Sequence, residues 1–162
     1  MAKGDHIFVW CGNSIIPTHT HHGIDCGNGT VIHFAGNKNK KNTFVITKTS
    51  LVSFAAGNVK SQKEVYALNY DVLGIPYDLP DLVIQRAENF IGKGEYHLFE
   101  NNCEHFAFFC KTGIKKSYQI EKLIEDGVQG RVASSAYMWS IGVLINNLFK
   151  ASPQKYKKIR VA

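Results

Sequence analysis

"THTHHGIDCGNGTVIHF", residues 18 to 34, sets strand-like residues on either side of a Gly27-Asn28-Gly29 centre. Glycines there supply the positive φ that a tight connection needs, so the stretch reads as a β-hairpin. Register decides which histidine meets which. With a three-residue loop and Gly29 left-handed, Gly23 pairs with His33, and His21 lies diagonal to His33 on the same face. With Asn28-Gly29 alone as the loop, His22 takes that place. Both registers fit the pattern.

Outward from the hairpin, the apolar residues between Asp5 and about Tyr70 come in short runs such as IFVW, VIHF and TFVIT, separated by Gly and Asn clusters. This is the pattern of a small antiparallel sheet. Helical spacing follows. In "DLPDLVIQRAENFIG" (78 to 92), Pro80 stands near a helix start, Leu82, Val83, Ala87, Phe90 and Ile91 recur at helical intervals, and Gly92 ends the run. Two further helices are expected at 117 to 126 and at about 131 to 149. The fold class is α+β, an antiparallel sheet packed against helices. The expected division is a catalytic domain over 1–128 and a C-terminal segment, 129–162, made of an apolar helix and a basic tail.

"LFENNCEHFAFFC" (98 to 110) places a cysteine at a helix start. Asn101 suits the cap, Glu104 can reach back to the Asn101 amide, Lys111 falls in the last turn and Gly113 supplies the stop. Cys103 then sits in the first turn, where unpaired N–H groups and the helix dipole favour thiolate over thiol. Cys110, seven residues on, reads as a structural core cysteine. His105 is about 200° around the helix from Cys103, so its ring points away and the base must come from the hairpin.

Composition narrows the function. No apolar run of signal-peptide type follows the first residues, so an intracellular, cytoplasmic chain with reduced cysteines is expected. Cys11, Cys26, Cys103 and Cys110 contain no CxxC pair. The net charge of +6 is modest, and much of it lies in Lys150, Lys155, Lys157, Lys158 and Arg160, a local basic tail that fits an anionic surface rather than nucleic acid. His19 and His21 alternate as two zinc ligands would, with His33 or Cys103 as a third. The HxHxDH hydrolase pattern, however, needs Asp at 23 and His at 24, where this chain has Gly23 and Ile24; no metal is expected.

"HHGIDCGNGTVIHF" followed much later by "NNCEHFAFFCKTG" resembles the signature pair of the lecithin retinol acyltransferase family, a branch of the NlpC-type thiol hydrolases with a circularly permuted papain-like fold. "GDHIFV" at 4 to 9 and "VIQRAENFIGKGEYHLFENNCEHF" at 83 to 106 extend the likeness over roughly residues 3 to 113. The resemblance implies Cys103 as nucleophile, His21 as general base, twelve residues before His33 as in the family, and His33 as the residue that orients His21. His22 stands where relatives often carry an aromatic residue. Asp25 stands where many carry a large one, which bears on the lining of the substrate cleft. No cofactor is implied.

The implied activity is cysteine-dependent acyl transfer or phospholipase action on glycerophospholipid esters through a thioester, with the Cys103 N–H as an oxyanion donor contributing roughly 3 kcal/mol. A thiol peptidase or amidase of the NlpC type and a non-catalytic membrane-binding module are the alternatives. Residues 132 to 149 carry no charge, yet five of the eighteen are Ser or Asn, spread around a helix circumference. That is neither a clean amphipathic face nor a membrane span. Peripheral membrane contact through 131–160 is the expectation, each tail lysine adding about 1 kcal/mol near anionic lipid.

Overall fold

Register, left open by the hairpin pattern, is settled by the backbone. The computed structural model describes residues 2–12, 17–36, 44–56, 64–94, 103–114 and 156–160. In chain order the elements are β1 (His6–Gly12), β2 (Pro17–Asp25), β3 (Thr30–Gly36), β4 (Phe44–Ser50), α1 (Leu51–Ala55), β5 (Glu64–Leu68), α2 (Tyr70–Leu73), α3 (Pro80–Glu88), α4 (Cys103–Thr112) and β6 (Tyr156–Arg160). The strands form one antiparallel sheet in the order β4-β3-β2-β1-β5-β6. Gly23 faces His33, Ile24 faces Ile32 and Asp25 faces Val31. The loop is therefore the three residues 27 to 29, closed by Cys26 N–H donating to the Thr30 carbonyl at 2.9 Å, with Gly29 at φ 78°. The two-residue loop is excluded, and with it His22 as the partner of His33.

Strand alternation sends His21 and His33 to one face of the sheet and His22, Ile24 and Ile32 to the other. Helix α1 covers the first face. Its Leu51, Phe54 and Ala55 pack on Ile7, Val9, Val31, Val65 and Ala67, and Ser50 caps its start by accepting the Ser53 N–H at 3.1 Å. Helices α3 and α4 cover the second face, where Val83, Ile84 and Ala87 meet Ile24, Ile32, Phe34, Ile46, Phe106 and Phe109. Phe54 and Phe106 are almost wholly buried. Burial of each stabilises the fold by roughly 2–3 kcal/mol, and truncation of either to Ala is expected to cost about 3–5 kcal/mol.

The α3 stripe differs from the sequence reading. The helix ends at Glu88, and the chain turns through Gly92 at φ 83°. Leu82 and Ile91 are 44% and 41% exposed, and Ile84 takes the inner position instead. Residues 83, 84 and 87 make a narrower stripe than the apolar sequence suggests, because only one edge of this short helix meets α4 and the sheet. At the end of α4, Gly113 (φ 73°) donates its N–H to the Phe109 carbonyl at 2.8 Å. Arg86 donates to the Cys110 and Phe109 carbonyls and to Asp78. The expected stop at Gly113 thus comes with a cation on the negative end of the helix.

Lys157, Lys158 and Arg160, read from the sequence as part of a basic tail, lie in β6, paired with Ala67, Tyr66 and Glu64 of β5. The helices expected at 117 to 126 and 131 to 149, and the boundary at 128, lie outside the described residues. Among the described residues, no helix is long and apolar enough to cross a membrane.

Candidate active site

Strand β2 pairs with β1 along its length, but its pairing with β3 stops at Gly23 and His33. Beyond that point β3 stays with β4, and the edge of β2 that it leaves exposes backbone groups in need of partners. The first turn of α4 fills the gap. Cys103 Sγ accepts the His22 N–H at 3.4 Å and lies 3.9 Å from the Thr20 carbonyl. Those are the two peptide groups that flank residue 21. The sulfur therefore stands beside His21, on the strand that carries it.

His21 Nε2 is 2.8 Å from His33 Nδ1. Both rings rest on Phe54, with centroids 5.3 Å and 5.1 Å from it. Where β2 and β3 part, the Cys103 sulfur thus sits against the backbone on either side of residue 21, and the ring of His21 meets that of His33. Gly23 makes room for this. A Cβ there would lie 2.6 Å from Val31 Cγ1 and 3.1 Å from both His33 Cβ and the Ile32 carbonyl.

Electrostatics correct one expectation. The helix start was expected to favour the thiolate of Cys103; burial outweighs it and pushes the thiol up to about 11, with the Glu104 carboxylate adding to the rise. The His22 and Cys103 N–H groups act in the opposite direction and are outweighed. Cys103 keeps some exposure as a residue, but its sulfur is walled in by protein, and desolvation exceeds what two amide dipoles return. At neutral pH the resting group is a thiol. Cys110, the expected structural cysteine, is fully buried and its thiol is pushed further up by the same cause.

His33 is buried, and desolvation lowers its pKa, so the ring is neutral. Its Nε2 meets Thr49 Oγ1 at 2.8 Å and its Nδ1 lies 3.0 Å from the Phe34 carbonyl. His105, expected to point away from Cys103, is 7% exposed, with its pKa lowered by burial. Glu104 is also buried, and its carboxyl is pushed up to about 8. Asn101, expected to cap the helix, lies outside the described residues.

Asp25, placed by the sequence reading in a cleft lining, has no exposed surface and accepts the Gly27 N–H at 2.8 Å. It shapes the hairpin turn instead. Among the described residues, no three His, Cys, Asp or Glu side chains form a group able to hold a metal ion.

Sequence reasoning missed Thr49, Phe54 and a second histidine pair. On the opposite face, His6 Nε2 lies 2.9 Å from His22 Nδ1, His6 Nδ1 lies 2.7 Å from Tyr70 OH, and His22 Nε2 lies 2.7 Å from Thr20 Oγ1. The signal for His6 was available, since it pairs with Ile24 and so lies diagonal to His22 on the same face of β1 and β2 once the register is known.

Comparison with known proteins gives the same family as the motifs. The lecithin retinol acyltransferase family model matches residues 1–116. Protein LEAD-SENSITIVE 1 of Arabidopsis thaliana is 28% identical over 159 residues, covering 70% of this chain and 58% of that protein. Lecithin retinol acyltransferase of Bos taurus is 33% identical over 126 residues, covering 66% and 55%. Phospholipase A and acyltransferase 5 of Rattus norvegicus is 36% identical over 66 residues, covering 40% and 23%. The chain spans little more than half the length of the first two relatives and about a quarter of the third. The match over most of its length, together with the register that sets His21 against His33, establishes that this chain belongs to the lecithin retinol acyltransferase family.

Proposed function

We propose that this chain is a cysteine-dependent acyltransferase or phospholipase that acts on glycerophospholipid acyl esters through a thioester on Cys103. The observation that carries the reading is the seat of the Cys103 sulfur between the peptide groups flanking His21, whose ring is in turn held by His33. The names of the relatives, an acyltransferase and a phospholipase A, support the substrate class.

With the thiol near pKa 11, base assistance is needed in each turnover. His21 takes the S–H proton as sulfur bonds to the acyl carbonyl carbon. The carbonyl oxygen takes up the negative charge, with the Cys103 N–H as a donor contributing roughly 3 kcal/mol. Collapse expels the glyceryl oxygen, which receives the proton from His21 and leaves the acyl group on sulfur. Water, or an alcohol or amine, then attacks the thioester, gives its proton to His21, and the released sulfur recovers it. Such a substrate requires access to a bilayer surface, and peripheral contact through 131–160 on the cytoplasmic side belongs to this reading.

Intact-mass analysis after brief mixing with phosphatidylcholine and phosphatidylethanolamine vesicles tests it. One fatty-acyl mass is expected on Cys103, removed by hydroxylamine and missing from Cys103→Ala. Absence of an adduct with every phospholipid tried overturns the proposal. Turnover of peptide amides without any response to vesicles moves the chain to the peptidase reading.

A further inference from the structure

Resting on the assignment of His21 as base, we infer that Thr49 is a positioning residue, whose hydroxyl supplies the acceptor through which His33 reaches the tautomer that leaves His21 able to accept a proton. Thr49 comes from β4, diagonal to His33, which pairs with Thr47.

His21 Nε2 is engaged by His33, so its Nδ1 is the nitrogen that must receive the sulfur's proton. That nitrogen is bare only when the ring proton sits on Nε2 and is donated to His33 Nδ1. His33 Nδ1 accepts only when the proton of that ring is on its own Nε2. There the partner is Thr49 Oγ1, at 2.8 Å. Thr49 then accepts from His33 and directs its own O–H at the Ser50 carbonyl, 3.4 Å away.

The opposite arrangement also has partners. With its proton on Nδ1, His33 donates to the Phe34 carbonyl at 3.0 Å, and Thr49 O–H donates to His33 Nε2. In that state His21 Nε2 has no donor's role to play, its proton moves to Nδ1, and the base is lost. A carbonyl accepts and never donates, so Phe34 favours this unproductive form. A hydroxyl does either, and Thr49 is the group through which the productive form is reachable. His33 is kept neutral by burial, so one proton on that ring makes the choice a binary one.

Substitution of Thr49 by Val keeps the β-branched shape and deletes the hydroxyl, leaving the Phe34 carbonyl alone to set the tautomer. Three readouts test this on the full chain: 15N spectra of the histidine rings, the alkylation rate of Cys103 with iodoacetamide, and the single-turnover rate of Cys103 acylation by phosphatidylcholine vesicles. In Thr49→Val, His21 is expected to change from the Nε2–H to the Nδ1–H form. Both rates should fall roughly 10- to 100-fold, a part of what a general base supplies, with half-saturating lipid unchanged. Thr49→Ser should restore all three. A Thr49→Val protein with the unchanged tautomer and rates overturns the inference, as does a Thr49→Ser protein that behaves like Val. If tautomer and alkylation change as expected while no lipid acylates Cys103, the role of Thr49 stands and the acyl-transfer reading falls.

Discussion

Two histidine pairs cross this sheet through adjacent residues of β2, and they share a geometry without sharing a chemistry. His21 meets His33 at 2.8 Å on the α1 face, and His22 meets His6 at 2.9 Å on the α4 face. Around His6 and His22 each ring nitrogen has a short contact, ending at Tyr70 OH and Thr20 Oγ1, and neither ring has any exposed surface. Burial lowers the pKa of His6 to about 3 and holds that of His22 well below the ordinary value, so both stay neutral. The pair can neither gain a proton cheaply nor reach a substrate. His21 keeps some exposure and stands beside a sulfur. What separates a base from a strut here is access and the neighbour at the end of the chain of contacts, not the residue type or the histidine-histidine distance.

The largest expected effect breaks the comparison directly. His21→Ala should lower single-turnover acylation of Cys103 by roughly 10²–10⁴, with unfolding free energy in urea changed by less than about 1 kcal/mol. His22→Ala should do the reverse. It leaves His6 Nε2 and Thr20 Oγ1 without their buried partner, so a loss of about 2–4 kcal/mol of stability is expected, with acylation per folded molecule reduced less than tenfold. Equal losses of rate in the two variants would remove the distinction between the faces.

The sequence carried much of this. Gly27 and Gly29 fixed the hairpin, and the motif around Cys103 placed it at a helix start, because turn chemistry and helix spacing are local. The partner of His33 on β4 was not readable. Residues 37 to 43 form no turn signature, so nothing local sets which threonine of "TKTS" lies beside His33. The thiol pKa was misjudged for a similar reason. The helix-start contribution is visible in sequence, whereas the desolvation that outweighs it depends on how closely α4 seats against β2.

The two faces should also differ in how they respond to pH. His6 and His22 have folded pKa values below 6.5, so the unfolded chain takes up protons first and stability is lost as pH falls below that value. Glu104, on the same face, has a folded pKa of about 8 against 4.5, so the folded chain holds a proton that the unfolded chain releases. Its contribution is lost as pH rises through that window. Below 6.5 these two histidines, joined by His33 and His105, which burial shifts in the same direction, outweigh one carboxyl; above it the carboxyl dominates. Stability in urea is therefore expected to peak near pH 6.5 and to fall by about 2 kcal/mol by pH 8. Glu104→Gln should flatten that decline and leave the acid limb in place. A wild-type curve that keeps rising to pH 8 would contradict this.

Gly23 gives the smallest and most selective break, because it touches the α1 face alone. It pairs with His33 directly, and an added methyl would press on Val31 and the His33 Cβ from within the sheet. Neither neighbour is the end of a long flexible side chain, so His33 must move or the strands must part. Gly23→Ala is expected to cost about 1–2 kcal/mol of stability, at the lower end for overpacking, since β2 and β3 already diverge beyond this pair. The displaced His33 should lose its hold on His21, slowing Cys103 acylation roughly tenfold, while the His6 and His22 ring resonances in 15N spectra stay where they are. If instead the His6 and His22 resonances shift and acylation does not, the strain has passed through β2 to the other face, and the two pairs are coupled through the strand they share.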